Sequence, residues 1–105
     1  MMRSLALVWA GLACLTGVVQ AQAAFAKGAD VGWLSEMEAR GDKFYDTSGA
    51  PKDCLQILKD EGINAVRLRV WVNPKDGWCG TDDVVKMAKR AQGMGFRVMI
   101  DFHYS

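Results

Sequence analysis

In the stretch NAVRLRVWVNP, residues 64–74, Arg67 and Arg69 stand two apart within a run of Val, Leu and Trp. Side chains alternate along a strand, so Arg67 and Arg69 share one face with Ala65, Trp71 and Asn73, while Val66, Leu68, Val70 and Val72 form the other. A buried charge without a partner costs several kcal/mol, so the two guanidiniums need carboxylates. Asp30 and Asp101 are the acids best placed to supply them, with strands beyond this sequence as a further source. Two uses are open: ion pairs that knit strands together, or guanidiniums that keep catalytic carboxylates ionised and correctly aimed. His103 shares the register of Asp101, and Trp71 offers a ring against which an apolar ligand face can pack.

The elements that must carry these residues alternate. Residues 27–34, 63–73 and 96–104 are short, rich in Val, Ile and aromatics, and polar at period two, so they read as strands. Residues 51–62 read as a helix, with Pro51 near its start and Gly62 past its end. A second helix follows Thr81 as its cap, acidic at Asp82 and Asp83, basic later, and stopped at Gly93 or Gly95. Residues 35–50 read as a long polar loop, with Glu36 and Glu38 on a solvated surface. This β-α-β-α-β order implies parallel strands joined by crossovers. The third strand repeats the split of the second, Val98, Ile100 and Phe102 against Met99, Asp101 and His103. An open doubly wound sheet favours apolar residues on both faces, whereas a closed (β/α) barrel turns one face inward and gathers chemistry at the C-terminal strand ends. The pattern favours the barrel.

Thirteen basic and 12 acidic residues nearly balance among 105, which gives no nucleic-acid signature. Met1-Met2-Arg3, the apolar residues 5–19 and Ala21-Gln22-Ala23 have the plan of a secretory signal cleaved after Ala23, too short an apolar run for a spanning helix. Residues 1–23 are therefore expected to be a signal peptide and 24–105 a secreted or periplasmic domain with no membrane attachment after cleavage. Cys54 and Cys79 remain, and in an exported chain pairing is the expectation, with two free thiols as the alternative. The bridge would close a loop of about 25 residues, worth about 3 kcal/mol in the chain-entropy account. Two Cys and one distant His lack zinc spacing, so no metal site is expected. Trp33 is undecided between a ligand platform and an ordinary half-buried indole, while Trp78, beside Cys79, belongs with the structure.

KGADVGWLSEME, INAVRLRVWVNPKDGWC and FRVMIDFHYS resemble the first three βα units of the bacterial endo-β-1,4-galactanases of glycoside hydrolase family 53, a family in the clan of retaining (β/α)8 TIM-barrel glycosidases. The resemblance implies an α/β fold, three strands of such a barrel over residues 24–105, and hydrolysis of β-1,4-galactosidic bonds in type I arabinogalactan. It also implies that Arg67, with Arg69 as second choice, supports the catalytic carboxylates. Asn73 and His103 are implied to line the cleft, joined there by Asp30, Trp71 and Asp101. No cofactor is implied, a calcium site in later loops being left open, and the full-length enzyme is expected to be a monomer.

Retaining hydrolysis needs two carboxyl groups about 5–5.5 Å apart. In the family both are glutamates on the fourth and seventh strands, whereas the glutamates here are Glu36, Glu38 and Glu61, none at a strand end. The catalytic pair is thus expected beyond Ser105, and the chain is read as an inactive fragment. Two rival readings are a small non-catalytic βαβαβ binding domain, against which no glycine-rich phosphate loop follows the first strand, and a barrel glycosidase acting on another polysaccharide.

Overall fold

The computed structural model describes residues 25–104; the expected signal segment, residues 1–23, lies outside the described residues. The order is β1 (Gly28–Asp30), α1 (Leu34–Ala39), α2 (Cys54–Asp60), β2 (Ala65–Trp71), α3 (Thr81–Gly93) and β3 (Arg97–His103). The strands form one parallel sheet in the order β1-β2-β3. Asp30 pairs in register with Arg67, Arg69 with Asp101, and Trp71 with His103.

Hydrophobic alternation decides which face the helices cover. Val66 and Leu68 are buried with Leu55 of α2 and Val84, Met87 and Ala91 of α3, and Val70 and Val98 pack beside them. Met87 and Ala91 stand one helical turn apart, and Val84 lies one residue short of a turn before Met87, the spacing of an apolar stripe. Arg67, Arg69, Trp71, Met99, Asp101 and His103 belong to the other face, and none joins that core. The expected α/β order with helices gathered on one face is what forms.

Three departures from the sequence reading shape the loops above the sheet. The first strand is three residues long instead of extending to residue 34, because the Leu34 N–H turns back to the Val31 carbonyl at 3.0 Å. Val31 and Leu34, three apart, both enter the core, and that helical spacing starts α1 where a loop was expected. Finally, the cap of α3 is Gly80, not Thr81, and it makes no side-chain cap bond; the Asp83 carboxylate instead accepts from the N–H of Cys79, the residue before the cap, at 2.8 Å and fixes the entry of the chain into the helix. Asp53 caps α2 as its carboxylate accepts the Gln56 N–H at 3.1 Å.

Arg90 of α3 ties the helical layer together. It donates to both Glu38 oxygens at 2.7 and 2.9 Å and to Asp53 at 2.5 Å, and the bond to Glu38 raises its pKa further. Among the described residues no strand pairs with the outer edge of β3, where Phe102 is 63% exposed beside Ile100 and Tyr104. An unpaired parallel edge with apolar side chains templates association. Residues 24–105 are therefore expected to self-associate when concentrated, and Phe102→Lys to shift sedimentation towards monomer; an unsubstituted chain that sediments as a monomer at every concentration would contradict this.

Candidate functional site

The polar face of the sheet carries a continuous row that runs from mid-strand to the C-terminal strand ends. Arg67 lies at the centre: its Nη1 donates to Asp30 Oδ2 on β1 and its Nη2 to Asp101 Oδ2 on β3. One planar guanidinium thus spans two neighbouring strands, which the compact ammonium of a lysine cannot do. Asp101 also receives His103 Nε2 at 2.8 Å, and the His103 ring lies 4.4 Å from that of Trp71 at a tilt of 39°. In the other direction Asp30 Oδ1 accepts the Gly32 N–H at 2.9 Å and lies 3.6 Å from Arg69 Nη2. The Arg69 guanidinium sits 5.2 Å from the centre of the Trp33 ring.

The sequence named either Asp30 or Asp101 as the arginine partner; register delivers both to Arg67. It also read the segment as deeply buried, whereas the Arg67 side chain is 39% exposed, since its face carries no helix among the described residues. Among the described residues, Arg69 Nε and Trp71 Nε1 are buried donors without a hydrogen-bond partner. Leaving such a donor unmade costs about 1–3 kcal/mol, which suits a surface that is completed by acceptors such as hydroxyls.

The bond from His103, reinforced by the charge of Arg67, holds the Asp101 carboxyl below its ordinary pKa. A carboxyl with a lower pKa when folded stabilises the fold above its unfolded pKa, about 3.9, and loses that contribution as pH falls through the folded value. Melting temperature is expected to drop as pH falls below about 4. In Asp101→Asn that portion of the drop should vanish; an unchanged acid profile would count against the network.

Other expected residues fare differently. Asn73 was placed on the inward face by continuing the strand, but β2 ends at Trp71 and Asn73 takes φ 46°, a left-handed turn conformation that Asn tolerates. It borders the same depression as Trp71 and His103 at the strand ends. Cys54 and Cys79 are free thiols in the structure, so the expected bridge is not formed. Cys79, at φ 63°, turns its sulfur to the Gly32 carbonyl at 2.9 Å, and burial raises the pKa of both thiols. Glu36 and Glu38 lie on α1, Glu38 paired with Arg90, and Glu61 caps the end of α2. No glutamate among the described residues reaches the row.

Sequence reasoning missed the cluster that fixes the loops above the sheet. Asp83 accepts from the Ser35 hydroxyl at 2.9 Å as well as from the Cys79 N–H, and the Trp71 N–H donates to the Cys79 carbonyl at 2.8 Å. The signal available was Asp83 at the third position of its helix, where a carboxylate can reach back. Chemically, the row can bind, orient and hold charge; it contains no pair of free carboxyls to act as acid and nucleophile.

Comparison with known proteins gives a consistent match. The family described as Glycosyl hydrolase family 53 matches residues 26–105. The chain is 44% identical over 79 residues to a probable arabinogalactan endo-beta-1,4-galactanase A of Neosartorya fischeri, covering 75% of this chain and 22% of that protein. It is 40% identical over 89 residues to an endo-beta-1,4-galactanase of Bacillus subtilis, covering 77% and 21%. Its fold superposes on the Ignisphaera aggregans GH53 catalytic domain with a TM-score of 0.73 and 39% identity, covering 77% of this chain and 25% of that one. The chain therefore spans about a fifth to a quarter of the length of these relatives.

Proposed function

Given that the chain belongs to glycosyl hydrolase family 53, we propose that its three strands form the first part of a (β/α)8 barrel that hydrolyses β-1,4-galactosidic bonds in pectic galactan, and that the row ending in Trp71 is one wall of the substrate cleft. The observation that carries the reading is Arg67 bridging Asp30 and Asp101 within a polar row that reaches the C-terminal strand ends at Trp71 and His103, the side on which barrel enzymes place their chemistry.

In this reading Arg67, assisted by Arg69, keeps the carboxylate side of the cleft ionised and positioned, because a fixed guanidinium stabilises the charged form of nearby acids. Asp30, Asp101 and His103 offer hydrogen bonds to sugar hydroxyls, Asn73 edges the cleft, and Trp71 packs against a pyranose face. Retention of configuration requires two carboxyls about 5–5.5 Å apart, one donating a proton to the leaving oxygen and the other attacking the anomeric carbon. Glu36, Glu38 and Glu61 all sit off the strand ends, so further βα units must supply both groups and this chain alone does not turn over substrate. The signal-like first 23 residues support action outside the cytoplasm; a polysaccharide substrate follows from the family, and the full-length enzyme is proposed to be a monomer.

A chimera tests this. Residues 25–105 replace the matching segment of the Bacillus subtilis endo-beta-1,4-galactanase, and reducing ends are counted on β-1,4-galactan, arabinan and β-1,4-glucan. Hydrolysis of galactan is expected; a folded chimera that is inactive on galactan, or that prefers another glycan, would overturn the reading.

A further inference from the structure

We propose that Trp33 is a second sugar-stacking platform, at the opposite end of the charged row from Trp71, so that the wall grips a galactan chain by aromatic rings at both ends. The inference rests on the reading of the row as a galactan-binding wall.

Packing among the described residues does not account for the Trp33 ring. Its neighbours Val31 and Leu34 are buried at 8% and 3% exposure and belong to the core, whereas Trp33 is 41% exposed and does not. Its backbone is nevertheless fixed: its carbonyl accepts the Met37 N–H at 3.1 Å in the first turn of α1. A large indole is thus held on a rigid turn immediately after β1, on the rim where Asp30 ends its strand.

Arg69 fixes the orientation of the ring. A Cβ at Gly32 would come within 3.0 Å of Arg69 Nε and 3.2 Å of Asp30 Oδ1, so the guanidinium lies directly against the turn that carries Trp33. From there it sits over the indole and within 3.6 Å of Asp30. A cation over one ring face is attracted by the ring quadrupole and limits rotation of the side chain. The order along the wall is then Trp33, Arg69, Asp30, Arg67, Asp101, His103, Trp71, each in contact with the next. Hydroxyl-binding groups occupy the middle and aromatic surfaces the ends.

Galactose suits such an arrangement. Its axial 4-hydroxyl leaves the hydrogens of C3, C4 and C5 together on one ring face, an apolar patch that stacks on an indole while the remaining hydroxyls point to polar groups. A glucose unit, with its 4-hydroxyl equatorial, lacks that concentrated patch.

Affinity electrophoresis of the chain in native gels provides the test, with dissolved β-1,4-galactan or β-1,4-glucan as the probe. Retardation by galactan is expected, with the apparent Kd weakened about tenfold in Trp33→Ala, the upper end of what a single aromatic contact supplies. Trp33→Phe, which keeps a ring, should retain most of the retardation, and Trp78→Ala should match the unsubstituted chain. Equal retardation of Trp33→Ala and the unsubstituted chain overturns the proposal, as does the absence of retardation by either glycan. Retardation by glucan but not galactan, lost in Trp33→Ala, would uphold the platform and refute the galactan reading instead.

Discussion

In a galactanase whose first three strands are those of this chain, Arg67→Met is expected to lower kcat on galactan about 100-fold, the order of loss that follows when a positioned group is displaced by about an ångström. Met keeps much of the side-chain length and packing but removes both donors. Asp30 and Asp101, on strands either side of β2, would then face one another without the cation that separates them. Repulsion pushes such acids apart or up in pKa, and either response disturbs the wall to which the substrate must bind. Arg67→Lys should recover little, since a single ammonium cannot donate to both strands at once in the planar geometry seen here. Steady-state kinetics on galactan, compared with a double variant in which Asp30 is also Asn, separates positioning from simple loss of charge. A near-native kcat in Arg67→Met would remove the arginine from the mechanism.

The second large effect lies on the opposite face. Leu68→Ala is expected to destabilise the fold by about 2–5 kcal/mol, the cost of a cavity at a fully buried leucine. Leu68 is 1% exposed at the middle of the central strand, under the helical layer. Domains of this kind have about 5–15 kcal/mol in total, so this one change consumes a large share of the margin. Urea denaturation should show a lower midpoint at an unchanged slope, while Val85→Ala, on the exposed side of α3, should stay within about 0.5 kcal/mol. If the two variants behave alike, the assignment of faces is wrong.

Those faces were legible because a strand repeats every two residues: the parity of Arg67 against Leu68 separates a polar face from a core without any knowledge of the fold. The identity of the partners followed less completely. Alternation places Asp30 and Asp101 on the polar face, but only the register, Asp30 beside Arg67 and Asp101 beside Arg69, lets one guanidinium reach both. Local geometry was least legible. Ser35, Glu36 and Glu38 look like loop residues by polarity, and α1 is anchored through Leu34 rather than by a full apolar stripe. Asn73 left its predicted face because the chain turns left-handed just after Trp71, and Cys79 directs its sulfur to Gly32 from another left-handed position. Such turns are set by contacts between loops, which periodicity does not record. Trp33 shows the same limit: its type suggested two roles, and its place beside Arg69, on which the platform proposal is built, could not be read from periodicity.

Titration of the chain with β-1,4-galactotetraose, followed by NMR of side-chain signals, reads the wall itself. The Nε–H signals of Arg67 and Arg69 and the indole signal of Trp71 are predicted to shift together while the methyl groups of Leu55 and Leu68 stay in place. Shifts confined to the helical side, or a row that does not respond at saturating sugar, would contradict the account.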